Sequence, residues 1–194
     1  SSTTNCDYCS SSVENAASAN GLLAVGVANG DSTVDDCTGC VSDVSNSATA
    51  VGALAGAVAV GNGSTTECGN CGSWVDNSAT AIGALATAFS AGDATTEECG
   101  RCASSVENSS VAAGIGAIAL ALGSAETSEC GRCLSSADNT AAALGLGDFA
   151  IAAGNASVSM CGGCSATVDN TSVAAGILNA AVALGNATAT QGSS

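Results

Sequence analysis

A Cys-x-x-Cys pair recurs six times along this chain, at Cys6/Cys9, Cys37/Cys40, Cys68/Cys71, Cys99/Cys102, Cys130/Cys133 and Cys161/Cys164. Each pair begins 31 residues after the one before, and together they use all 12 cysteines. This period divides the chain into six copies of one unit: 6–36, 37–67, 68–98, 99–129, 130–160 and 161–191. In a repeat array each unit rests mainly on its neighbours, so residues 1–194 read as a single array.

Positions in a unit are numbered here from its first cysteine. The shared pattern is C-G-x-C-x-S-x-V-[DE]-N-[ST]-x-x-A-x-G, followed by an alanine-rich run closed by glycine. Position 10 is always asparagine: Asn15, Asn46, Asn77, Asn108, Asn139 and Asn170. Position 16 is always glycine, from Gly21 to Gly176, and so is position 25, from Gly30 to Gly185. Position 22 is always large and apolar: Val27, Val58, Phe89, Leu120, Ile151 and Val182. The restricted positions 8, 10, 14, 16 and 22 are all even, which puts them on one face of extended chain.

The expected fold is all-β, a solenoid of six stacked units with disulfide-stapled turns. If each unit is one coil, the stack is about 29 Å tall at the usual strand spacing. The asparagines then form an inward ladder, and the glycine at position 25 supplies a corner with positive φ. An α-helical array stays open as the alternative. Positions 10, 14, 18 and 22 also form one helical stripe, with asparagine as N-cap, so each unit would hold one Ala/Gly-rich helix. In unit two, Ala53, Ala55, Ala57 and Ala59 fall on one side of a strand, and Leu54, Val58 and Val60 on the other. A strand apolar on both faces is usually covered on both. Either the coil folds into two layers or this face meets another chain.

Charge narrows the partners. The net charge is −15, and Arg101 and Arg132 are the only basic residues. Phosphate recognition needs clustered Lys and Arg, so nucleic acid is not an expected partner. The longest apolar runs, about 14 residues as in Ser110–Gly123, fall short of the roughly 20 that cross a bilayer, and no membrane insertion is expected. With neither His nor Lys in the chain, the usual general bases are missing and an enzyme is not expected.

An even set of paired cysteines reads as a disulfide framework of a secreted, extracellular protein. Rings within each unit are favoured over bridges between units. A start at Ser1 fits a processed secreted chain, and sequons at Asn62, Asn108, Asn155, Asn170 and Asn186 are glycosylation candidates. Cys₄ metal sites formed by adjacent pairs are a rival use. The residues after the second cysteines, such as Ser10 and Val41, are not His, which excludes c-type haem. The acids at position 9, namely Glu14, Asp76, Glu107, Asp138 and Asp169, are weak calcium candidates, and a solvated acidic face is the plainer reading. No other cofactor is expected.

In its Ala/Ser/Thr-rich, cysteine-paired composition the chain resembles insect antifreeze proteins, which implies ice as a ligand. Their flat threonine arrays have a broken counterpart here. Position 13 reads Ser18, Thr49, Thr80, Val111, Ala142 and Val173. Stretches such as 110–119 are similar to the head repeats of trimeric bacterial adhesins over about ten residues per unit. That likeness implies β-coil chemistry and no more.

The function expected is a secreted, glycosylated structural protein that assembles with itself, end to end, into a filament, sheath or coat. Neither terminal unit looks atypical, as a solenoid cap would. Ice or polysaccharide binding is the alternative, and a cysteine-based metal array the third reading.

Overall fold

The computed structural model describes residues 1–191, and the side chain of Cys6 lies outside the described residues. The described residues hold 17 strands and no helix. Every strand pairing is parallel, and all but Cys161↔Gln191, where a bulge shifts the register, couple a residue to its equivalent 31 residues away, as in Asn46↔Asn77 and Ala50↔Ala81. The chain is thus a β-solenoid with one coil per unit. Extended chain wins over helix because stacking pairs the backbone of each coil with the next and sets identical side chains in register. A glycine in the middle of every helix would have cost about 1 kcal/mol per unit relative to alanine.

Each coil has two layers. The long strands Ser10–Asn20, Val41–Val51, Asn70–Gly83, Arg101–Ile115, Arg132–Leu146 and Gly163–Ile177 stack into a broad six-stranded sheet. The rest of each coil returns across it in an 11-stranded split sheet. In unit two the return runs through Leu54–Val60, a corner at Gly61, and Gly63–Cys68. In the last two coils it is one continuous strand, Phe149–Cys161 and Ala180–Gln191.

The core between the layers is one alanine thick. In unit two, Cys40, Val44, Asn46, Ala48 and Ala50 point inward from the broad sheet, and Ala55, Ala57 and Ala59 from the split sheet. Inward positions are therefore even before the turn at position 16 and odd after it. This corrects the expectation that position 22 shares the buried face. Val58, Phe89 and Leu120 point out of the split sheet and are half-exposed. The parity changes because the chain spends positions 15–18 rounding the corner, where Val51, Ala53 and Leu54 are all exposed.

Two glycine columns allow the coils to stack this closely. At position 16, a Cβ on Gly83 would land on the carbonyl oxygen of Gly52, and one on Gly114 on that of Gly83. At position 25 the role differs from the one expected. These glycines do not have positive φ. A Cβ on Gly61 would instead collide with the Asn46 amide and the Gly30 carbonyl. Close approach, not backbone handedness, requires glycine there.

That approach serves the asparagine ladder. Asn15 Nδ2 donates to Asn46 Oδ1 (2.9 Å), Asn46 to Asn77 (3.0 Å), Asn77 to Asn108 (3.0 Å), Asn108 to Asn139 (3.0 Å) and Asn139 to Asn170 (2.9 Å). The same amides donate across the core to the split sheet, as Asn46 does to Val60 O and Asn77 to Ala91 O, both at 3.0 Å. The ladder therefore ties coil to coil and layer to layer.

Asn77→Ala is expected to destabilise the fold by about 3 kcal/mol, since it strands buried partners above, below and across. Asn15→Ala, in a half-buried end position, is expected to cost about 1 kcal/mol. Urea unfolding followed by circular dichroism measures both, and equal effects would contradict the ladder's role.

Candidate functional site

The coil presents four distinct surfaces: a cysteine edge, an acidic broad face, an apolar split face, and the open rungs of its first and last coils.

At the cysteine edge, Cys99–Cys102, Cys130–Cys133 and Cys161–Cys164 are joined within their own units, with Cα separations of 6.1, 6.1 and 6.0 Å. Those distances lie inside the window a disulfide spans. The staple expected in every unit is thus placed in units four to six. In unit one, Cys9 is held in a disulfide, but its expected pairing with Cys6 lies outside the described residues. The Cys9 backbone N–H donates to Cys40 Sγ of the next coil (3.4 Å). In unit two, Cys37 and Cys40 are buried in the same column. In unit three, Cys68 and Cys71 are a close buried pair within hydrogen-bond reach of each other.

Burial first, and then the hydrogen bond with Cys71, push the Cys68 thiol up, so it stays protonated at neutral pH. Among the described residues no three Cys, Asp or Glu side chains converge into a metal cage. Each pair is reached through a residue with φ of 51–54°: Asn5, Asp36, Glu67, Glu98, Glu129 and Met160. This repeated left-handed step turns the split sheet into the cysteine edge.

The acids of position 9 stack in register on the outer side of the broad sheet, from Glu14 past Ser45 to Asp76, Glu107, Asp138 and Asp169. The Asp138 carboxyl is held above the ordinary value of 3.8 by partial burial and then by Asp169. Asp76 is raised in the same way, by partial burial and then by Asp43. Positions 11 and 13 share this face. The hydroxyls of position 13 give way to Val111, Ala142 and Val173 in units four to six, while position 11 keeps Ser109, Thr140 and Thr171.

The sequons divide by position. Asn62, Asn155 and Asn186 occupy position 26 and are exposed along one corner. Asn108 is wholly buried and spends its amide protons on Leu122 O and Asn139 Oδ1, so the folded coil does not present it for glycosylation. Asn170 is half-buried at the far end of the ladder and donates to Gly154 O and Leu184 O.

One groove runs along the cysteine edge, and sequence reasoning missed it. Its volume is about 680 Å³, and it is lined by Tyr8, Gly72, Trp74, Arg101, Arg132 and Leu134 among others. Arg101 and Arg132 are strand neighbours in register. The Trp74 indole lies over Gly72, where any Cβ would displace it, and the Tyr8 ring lies over Gly39. The groove thus gathers the chain's only Trp, its only Tyr and both of its arginines. The available signal was that these residues break an otherwise faithful repeat.

Ahead of the corner at position 25, the outer face of the split sheet is largely apolar. Position 18 stacks Leu23, Leu54 and Leu85, and position 22 stacks Val27, Val58, Phe89, Leu120, Ile151 and Val182. Leu23 is 72% exposed, Val25 69% and Leu85 56%.

In the last coil the inward alanines of the return strand are exposed, whereas Ala24 and Ala28 of the first coil are buried. Ala181 and Ala183 are exposed, although their equivalents Ala57 and Ala59 are fully buried.

No family model matches the chain, and neither a curated protein nor a solved structure matches it.

Raised carboxyl pKa values carry a sign. The stability tied to Asp76 and Asp138 is present below 3.8 and is lost as pH rises through their folded-state values. Asp138→Asn is therefore expected to raise the melting temperature at pH 7 by roughly 1 °C and to leave it unchanged at pH 3, the exposed site being screened by solvent. Calorimetry at the two pH values checks this, and a gain at pH 3 would contradict it.

Proposed function

We propose that this protein is a secreted structural rod that assembles end to end with copies of itself into an extracellular filament, sheath or coat. The observation that carries this reading is the sameness of the rungs. Every coil meets the next through the same residues in the same register, so the surface offered by coil six is complementary to the one offered by coil one. The asparagine ladder has a direction: amide donors point from coil one towards coil six. A head-to-tail contact of this kind advances by one rise without closing, which generates an open filament and not a ring. Uncovered strand edges are templates for further strands. Cysteine pairing supports an oxidising, extracellular setting. Glycans on Asn62, Asn155 and Asn186 would line one corner, clear of both rung faces.

Electron microscopy of the purified protein tests the reading. Filaments with an axial repeat of about 29 Å per copy are expected. Discrete monomers at millimolar concentration would sink it.

A second reading, binding of an acidic polysaccharide, is favoured over ice by the groove at the cysteine edge. Two guanidinium groups one strand spacing apart repel unless an anion sits between them, and arginine forks match carboxylate and sulfate. Trp74 and Tyr8 offer flat apolar faces for sugar rings beside that anion. Calorimetric titration with a polyuronate is expected to show binding that Arg101→Ala/Arg132→Ala weakens at least tenfold. Equal binding of a neutral glucan by wild type and variant would exclude this role for the arginines.

A further inference from the structure

We infer that the apolar face of the split sheet is a self-association surface, closed by the same face of a second copy across a two-fold axis lying in its plane. The inference rests on the filament reading for its strength, though not for its geometry.

Three observations lead to it. First, position 22 is large and apolar in all six coils while pointing away from the core. An outward column held large and apolar in all six coils marks a surface that is covered. Positions 18, 20 and 24 add Leu54, Ile118, Phe149 and Leu184, among others, all at least 38% exposed. Second, the part of this sheet at positions 18–24 presents no charge outward. The one acid among those positions, Asp148, points inward and is 2% exposed. The exposed acids of the same sheet, Asp35, Glu97 and Glu126, lie beyond the corner at position 25 and outside the four columns. Third, the area suits a partner of this shape. Four columns by six rungs cover about 20 by 29 Å, or roughly 600 Å² per copy, at the usual strand dimensions. That matches the largest apolar patches monomers leave exposed, and two such faces bury about 1,200 Å², the lower bound of specific interfaces.

A second copy fits better than an irregular partner because both faces are flat arrays with the same rung spacing, so side chains of one interdigitate with the other at every rung. The area makes a single pair weak. In an end-to-end stack the stripe runs on from copy to copy, and the pairing free energy grows with the number of copies joined. Lateral pairing and axial growth then reinforce each other.

The test uses Val58→Glu/Leu120→Glu, two outward changes in central coils. Ser109→Glu on the broad face is the control, and circular dichroism checks folding. Wild type is expected to give filaments two rods wide and the double variant filaments one rod wide. Wild-type filaments one rod wide would overturn the inference and leave the filament reading standing. If no filaments form, that reading fails and the pairing is judged by sedimentation equilibrium. A wild-type dimer that the double variant weakens at least 100-fold, and Ser109→Glu does not, supports it. A wild-type monomer at 100 µM, or a monomer that instead binds phosphatidylcholine vesicles, overturns it. Should the glutamates prevent folding, Val58→Thr/Leu120→Thr takes their place with the same outcomes.

Discussion

The structure depends on one constraint: each coil lies in 31-residue register on the next. Parallel pairing satisfies the backbone, but the buried asparagines make a slip costly. Asn77 and Asn108 are fully buried, and a one-residue slip would leave their amides without the asparagine partners of the neighbouring coils. Unpaired buried amides cost far more than paired ones return, so the ladder acts chiefly against wrong registers. The alanine core contributes little shape of its own, and register has to come from polar groups.

The thinness of the core has a second consequence. Alanine and glycine let the two layers approach closely enough for one asparagine to bridge them, as Asn46 does between Asn77 Oδ1 and Val60 O. The larger apolar side chains of positions 18, 20 and 22 stand on the outside of the split sheet, while Val44, Val75 and Val106 are buried. The coil is therefore amphipathic across its thickness, acidic on the broad face and apolar on the split face.

The cysteines fit the same scheme. They close the edge where the two layers meet, next to a left-handed step at every turn. A core of small side chains buries little area per residue. A short covalent ring, as at Cys99–Cys102, restrains the chain where it turns.

Much of this was legible in the 31-residue period. The period determined the number of coils, the equivalence of residues in each column, the inward asparagines and the within-unit cysteine rings of units four to six. These follow from local spacing and from the rule that identical units stack identically. Three things waited for the tertiary structure. The switch of buried parity at the position-16 corner depends on how many residues the turn consumes, and it put position 22 outside. The need for glycine at position 25 came from a neighbouring coil's carbonyl and an amide across the core, which no local φ preference reveals. The groove of Tyr8, Trp74, Arg101 and Arg132 draws on units one, three, four and five. Only the stacking of coils at one strand spacing brings residues so far apart in the chain into a single surface.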